Sequence, residues 1–396
     1  MMKTIRETYL GTVLLRGLVM LLPFLGWGQT FFDLPKPTQF VAGVPQARLD
    51  VVKELPNEFG DDEFMADPFY VTANKNGKIY VFDVKLSKVF MFNERYEFLG
   101  KFLQAGRGPS EIFPRNDSTK MIYAGKNGKF YINDCYNDKV LEFTESGEFL
   151  RDMKIDRLKL APVFFPPVVD KNGAFYAYSL SGGIVDQFDN HMKVVHSFLK
   201  EELNAQFIYY RPDWEEYYKQ PNDNFKKKYA GKTNTWVQKK IWLIPNFLNV
   251  KYDLTATGLL LIYLQNSSTI YLFNGKNLVR QFPVLVDSVL NKYKEDVDLA
   301  LQSMQKRRPG HVTNCYMPLF STCVVDQDEP YFYLQGYPRK EGYMLYKFDL
   351  SGKIVQTMSF PVNVVATLQA KINGLFYGIT QQKDESYVVV MKSVDK

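Results

Sequence analysis

The sequence predicts an all-β chain folded as a six-bladed β-propeller, and three observations carry that prediction. One hairpin pattern recurs along the chain, further strand-like segments follow each copy at blade spacing, and the two ends each hold part of one blade.

The first copy of the hairpin reads Tyr70-Val71-Thr72-Ala73-Asn74-Lys75-Asn76-Gly77-Lys78-Ile79-Tyr80-Val81. Four more centre on Gly128, Gly173, Gly258 and Gly374, and a sixth carries Asp326-Gln327-Asp328-Glu329-Pro330 in place of the glycine turn. Each is a strand, a tight Asn-Gly-type turn and an aromatic strand, the local signature of a hairpin. Self-similarity at a fixed period marks propellers and solenoids.

The turns are separated by 51, 45, 85, 70 and 46 residues. A four-stranded blade occupies about 40–45 residues, so each short gap holds one blade and each long gap a blade plus an insertion. Six hairpins therefore imply six blades. Third and fourth strands follow at 88–92 and 96–102, at 139–143 and 148–150, and at 343–348 and 353–355. Aromatic and β-branched residues alternate there with polar ones, the period of two that a packed strand requires. The 31 Phe and 26 Tyr are read as core between blades.

After Pro361 only three strands fit, at about 364–369, 375–380 and 387–391. A propeller abolishes exposed edges by closing its ring. The segment 48–55 is therefore expected to complete the last blade and to pair with the C-terminal strand.

The long gaps place insertions at about 200–240 and 283–316. The first is polar and aromatic together, with Tyr209, Tyr210, Trp214, Tyr217, Tyr218, Phe225, Tyr229 and Trp236. The second contains an amphipathic helix: Asp287 is its N-cap, Val289, Leu290, Tyr293, Val297, Ala300, Leu301 and Met304 recur at helical spacing, and Pro309-Gly310 ends it. Both join the outer strand of one blade to the inner strand of the next. Such connections emerge on one face, so the insertions are expected to form a lid over one mouth of the central channel, where function concentrates.

Residues 1–28 read as a signal peptide. Lys3 and Arg6 precede an apolar run from 17 to 27 broken by Pro23, and Gly26-Trp27-Gly28 supplies small residues for cleavage. The run falls short of the ~20 residues of a membrane span, although an uncleaved N-terminal anchor is the alternative. No cysteine lies nearby for lipid attachment. The remaining 29–396 form a single domain with no membrane span. Cleavage lowers the formal charge from +6 to +4, a mild and scattered excess that leaves no nucleic-acid footprint. Lys226-Lys227-Lys228 and Lys306-Arg307-Arg308 read as solvated helix faces or ends.

Cys135, Cys315 and Cys323 include one pairable set, Cys315 with Cys323, or fill small gaps in the core. No Cys/His spacing suits a metal. Asp83, Asp134 and Asp170 recur at related positions and suit turn capping better than metal binding. His191 and His196 fall on outer strands of the third blade and are read as packed or exposed there. His311, in the lid, has the best claim to function. No HExxH or GxSxG motif occurs.

The segment Gly106-Arg107-Gly108-Pro109-Ser110-Glu111-Ile112-Phe113-Pro114-Arg115 lacks the third glycine and the Lys-Ser/Thr of a phosphate loop. It reads as a rigid turn that holds Arg107, Glu111 and Arg115 near the channel mouth. This loop, with a blade signature of an Asn-Gly turn, an aromatic strand, an Asp, then Val-Phe-x-Phe and Gly-x-Phe-Leu, resembles the exported six-bladed propellers of the NHL/TolB-like group over about 48–392. The resemblance implies an uncharacterised protein of the periplasm or cell envelope of a Gram-negative bacterium. Ser110 stands where that group usually has glycine.

The functional expectation is a non-enzymatic module that binds a peptide, a glycan or an envelope protein as a monomer. Its contacts would be Arg107, Arg115, Tyr209, Tyr210, Trp214, Trp236, Arg307, Arg308 and His311. No catalytic residue, metal or cofactor is assigned. The alternative is a carbohydrate- or peptide-directed lyase or hydrolase using an Arg/Tyr/His cluster at the same mouth, since proton transfer and charge stabilisation can come from such groups without a linear motif.

Overall fold

The computed structural model describes residues 43–59, 63–113, 120–134, 137–154, 168–178, 184–200, 250–265, 267–284, most of 291–299, 319–336, 342–361, 367–382 and 385–395. Apart from a helical stretch within 291–299, these residues form β-sheets in a propeller-like arrangement. The first strand, β1 (Gln46–Glu54), is followed by a sheet of β2 (Pro68–Ala73), β3 (Ile79–Asp83), β4 (Lys88–Phe92) and β5 (Phe98–Phe102). A two-stranded ribbon, β6 (Gln104–Ala105) and β7 (Glu111–Ile112), leads to a second sheet of β8 (Lys120–Ala124), β9 (Lys129–Asp134), β10 (Lys139–Thr144) and β11 (Phe149–Lys154). The third sheet holds β12 (Val168–Val169), β13 (Phe175–Tyr178), β14 (Val185–Phe188) and β15 (Val194–Phe198). The fourth holds β16 (Val250–Leu254), β17 (Leu260–Leu264), β18 (Thr269–Asn274) and β19 (Asn277–Pro283).

The last strands are β20 (Phe320–Val325), β21 (Tyr331–Gly336), β22 (Tyr343–Asp349), β23 (Ile354–Phe360), β24 (Thr367–Ile372), β25 (Leu375–Gln382) and β26 (Glu385–Asp395). With β1 they make one eight-stranded sheet, ordered β20-β21-β22-β23-β1-β26-β25-β24. β1 lies antiparallel to β26, with Arg48 opposite Val394 and Val51 opposite Met391, as the chain ends led one to expect. It also runs parallel to β23, pairing Ala47 with Met358. That second pairing was not expected. It fuses two groups of four strands into one sheet.

Burial falls from the second strand of each sheet outward. Every residue of β3 and of β17 is buried, whereas six of the seven residues of β19 are exposed. Strands covered on both faces read as continuous apolar runs, which is why Ile79-Tyr80-Val81-Phe82 and Leu260-Leu261-Ile262-Tyr263-Leu264 lack alternation. The first strands neighbour one another in order: β2 beside β8 and β24, β20 beside β24 and β16, and β16 beside β12. Lys126 N donates to Val169 O at 3.2 Å between β8 and β12. On the far side, Gln369 of β24 accepts from Val71 N at 2.6 Å and donates to Phe69 O at 2.9 Å, so one side-chain amide imitates a strand across the seam to β2.

The turns repeat in detail. Asn74, Asp170 and Asp326 each turn a side-chain oxygen back onto two backbone N–H groups, at 3.0 and 3.0, 2.8 and 2.9, and 3.0 and 3.2 Å. The hairpins at Gly77, Gly128, Gly173 and Gly258 have one left-handed residue, the glycine itself; Asn373-Gly374 alone has two in succession. Most are therefore three-residue loops with an Asx- or Thr-type start, and only the last is the two-residue Asn-Gly turn. In five sheets the register slips at the same place, the final phenylalanine of the third strand: Phe92, Phe143, Phe188, Phe273 and Phe348. A bulge at a constant position bends each outer hairpin alike.

Aromatic contacts join successive sheets. Phe102 of β5 meets Phe130 and Phe143 of the second sheet, with ring centres 5.5 and 5.0 Å apart. The same ring lies against Gly147, where a Cβ would come within 2.6 Å of it, and Phe282 of β19 covers Gly352 in the same manner. The Ser-Gly turns of the sequence are thus packing sites for the preceding sheet.

Of the second insertion, residues 291, 292, 294–296, 298 and 299 are helical, with ion pairs Lys292–Asp296 at 3.0 Å and Lys294–Asp298. Asp287 and the apolar stripe of that helix lie outside the described residues, as does the insertion at 200–240.

Candidate functional site

Among the nine residues expected to contact a ligand, Arg107 is described. Arg115, Tyr209, Tyr210, Trp214, Trp236, Arg307, Arg308 and His311 lie outside the described residues. The loop that carries Arg107 is fixed from several sides. Glu111 folds its carboxylate back onto Gly108 N at 2.7 Å, and Gln104 donates to its other oxygen at 3.1 Å. A Cβ at Gly106 would sit 1.9 Å from the Glu111 carboxylate, which explains that glycine. Asn137 donates to Gly106 O at 3.2 Å, and the Lys139 ammonium is held by the carbonyls of Gly108 and Pro109. Among the described residues Glu111 therefore serves its own loop and bridges no neighbouring sheet. Arg107 is exposed, its guanidinium 5.3 Å from the centre of the Phe113 ring.

The recurrent aspartates cap backbone. Asp83 accepts from Asp67 N at 2.8 Å and from Leu86 N at 2.7 Å, and Asp134 from Phe113 N at 2.9 Å. Each ties the end of a second strand to the segment entering the first strand. His196 on β15 stacks edge-on against Phe198 at 4.6 Å, and burial lowers its pKa. His191 occupies the turn between β14 and β15, where its backbone N–H bonds Asp189. Cys323 is a free thiol on β20; Cys135 and Cys315 lie outside the described residues.

A second constellation lies at the centre and was not anticipated. Tyr123 of β8 donates to Asp253 of β16 at 3.0 Å, although β12 separates these strands in the sheet order. Leu254 N donates to the same carboxylate oxygen at 2.7 Å, and Gln327 donates to the other at 3.2 Å from the turn after β20. The Lys126 ammonium reaches the Thr255 carbonyl. Tyr252 accepts from Tyr178 N at 3.0 Å. Three sheets thus converge on one carboxylate.

These groups sit deep, yet Tyr123, Lys126, Tyr252, Asp253 and Gln327 each keep part of their surface open to solvent. Burial raises the pKa of Asp253, against the pull of Lys126, the Leu254 N–H and the Tyr123 hydroxyl. Burial likewise lowers Lys126, with Asp253 opposing and Lys75 adding to the shift. Tyr123 is held well above the usual phenol range by burial and then by Asp253. Tyr70 is pushed up to about 12 by burial alone. The arrangement offers donors, acceptors and aromatic faces together.

Among the described residues no cluster of His, Cys, Asp or Glu is placed to hold a metal ion, and no helix is long and apolar enough to cross a membrane. No spacing in the sequence could have announced the central group, because Tyr123 and Asp253 stand 130 residues apart and Gln327 a further 74.

No protein-family model matches the sequence, and no curated protein matches it. Solved structures resemble the fold. A candidate exported protein of Bacteroides fragilis is 11% identical, with TM-score 0.52 over 93% of this chain and 99% of that one. A member of the DUF4221 family from Bacteroides vulgatus is 10% identical, with TM-score 0.48 over 88% of this chain and 99% of that one. A streptogramin B lyase is 10% identical, with TM-score 0.44 over 88% of this chain and 98% of that one. At such identities the first of these likenesses bears on fold alone, and it agrees with the propeller-like arrangement of the sheets.

Proposed function

We propose that the chain is an exported binding module of the six-bladed, NHL/TolB-like kind, with residues 1–28 as its signal peptide and residues 29–396 as one domain. Its ligand, a peptide, glycan or envelope protein, sits at the mouth where outer strands connect to the next inner strands. The blade count is supported by the eight-stranded sheet, which divides at β23 and β1 into two groups of four, the second completed by the N-terminal strand. Export to the periplasm or envelope is supported by the leader-like segment and by the likeness to a candidate exported protein.

One observation carries the choice of binding over catalysis. Arg107 is an exposed cation on a loop anchored through Gly106, Gly108, Pro109 and Glu111, and among the described residues it forms no ion pair. A fixed cation on a rigid scaffold is suited to recognition, because little ordering entropy is lost on binding.

The test is capture from envelope extracts with the wild-type chain and with a variant carrying Arg107→Ala, Arg115→Ala, Arg307→Ala and Arg308→Ala. Specific retention of a partner by wild type and its loss in the variant are expected. Breakdown of glycan or peptide mixtures by the wild-type protein, without stable retention, would favour the lyase or hydrolase reading and overturn this one.

A further inference from the structure

We infer that the opposite mouth of the propeller, centred on Tyr123, Lys126, Tyr252, Asp253 and Gln327, is a binding site for a neutral, hydroxyl-rich ligand, a sugar unit. In an antiparallel four-stranded sheet the turns between strands one and two and between three and four share one end. The remaining turn and the outgoing connection share the other. Lys126 and Gln327 stand in first-to-second turns and Asp253 next to one, whereas Arg107 stands in an outgoing connection. The two sites therefore occupy different ends, and this one is independent of the function proposed above.

The chemistry of the group selects its ligand. Asp253 accepts, Lys126 donates, and the Gln327 amide does both. Charges of both signs act here, Lys126 and Lys75 on one side and Asp253 and Asp170 on the other, so charge of a single sign does not select the ligand. The site's mixture of donors and acceptors matches hydroxyl groups, which need both. The rings of Tyr123 and Tyr252 add flat amphipathic surface of the kind that covers a sugar face. Sugar sites combine a few convergent polar groups with aromatic surface in this way. Among the described residues two groups also retain capacity: Asp253 Oδ2 receives one bond from Gln327, and the Gln327 carbonyl oxygen receives none.

The experiment is titration calorimetry on the folded full chain with D-glucose, D-galactose, D-mannose and N-acetyl-D-glucosamine. Glucuronate and glucosamine serve as charged counterparts. At least one neutral sugar is expected to bind, and more tightly than either charged one. Asp253→Asn and Gln327→Ala should each weaken it tenfold or more, and Arg107→Ala should leave it unchanged. If Asp253→Asn fails to fold, Gln327→Ala, a half-buried turn residue, decides alone. The inference is overturned if no neutral sugar binds at millimolar concentration, if the charged sugars bind as well, or if Gln327→Ala binds like wild type. Loss of binding in Arg107→Ala would move the sugar to the other mouth and equally overturn it.

Discussion

Tyr123 donates its hydroxyl to Asp253 at 3.0 Å across the centre of the molecule, between strands that a third sheet separates. Burial favours this bond in two ways. It strengthens the interaction in a low dielectric, and it makes loss of either partner costly because the other is stranded. Tyr123→Phe should lower stability by about 1–3 kcal/mol. Asp253→Asn should cost less in Tyr123→Phe than in wild type. Urea titration of the four proteins of this cycle measures the coupling, and additive effects would mean that the bond contributes nothing.

Gly147 and Gly128 both adopt left-handed backbone, with φ of +88° and +74°. Their surroundings differ. A Cβ at Gly128 meets nothing within 4 Å, whereas at Gly147 it would collide with Phe102. Gly128→Ala should cost about 1–2 kcal/mol, the penalty of the conformation alone. Gly147→Ala should cost clearly more, and thermal unfolding of the two variants ranks them. Equal losses would show that Phe102 is not packed on that turn.

Glu142 is a buried carboxylate, 1% exposed, between Lys129 and Arg151, which are 41% and 44% exposed. Burial by itself would raise its pKa, but hydrogen bonds and charge from Lys129 and Arg151 outweigh it and leave the pKa lowered. A depressed carboxylate stabilises the fold above its unfolded pKa, and that contribution disappears as pH falls through the folded value. The stability difference between wild type and Glu142→Gln should therefore be largest near neutral pH. It should shrink as pH drops below about 4. A difference that grows on acidification would contradict the sign.

Gln369 bonds both Val71 N and Phe69 O, joining the last inner strand to the first. Gln369→Ala should leave Val71 N without its acceptor and cost about 1–3 kcal/mol. Gln369→Glu keeps the acceptor but loses the donor, so it should fall between the two in denaturant midpoint.

The scaffold was largely legible in the chain because its information is local. The turn at Asn74 to Gly77 is set by residues within five positions of one another, and it recurs; the bulge before Phe92 was not foreseen. The pairing of the N-terminal strand with the C-terminal one could be deduced from a missing fourth strand, and segment 48–55 agrees with Gln46–Glu54 to within two residues. The parallel pairing of Ala47 with Met358 was not legible, since nothing in β1 distinguishes one of its edges from the other. The same holds for the central cluster. Asp253 reads as an ordinary polar residue of an inner strand, and only the approach of β8 and the turn after β20 gives it partners. Asp83 and Asp134 were read as caps from their places at strand ends, and their bonds to Asp67 N, Leu86 N and Phe113 N agree.

Hydrogen exchange followed by mass spectrometry tests the clasp most directly. β1 pairs with β26 over residues 47–54 and with β23 over 46–48, so its paired amides should be protected as strongly as those of β25, and both should open in one cooperative step under denaturant. Exchange of residues 46–54 within seconds, while β25 and β26 stay protected, would mean that the N-terminal strand does not clasp the C-terminal one.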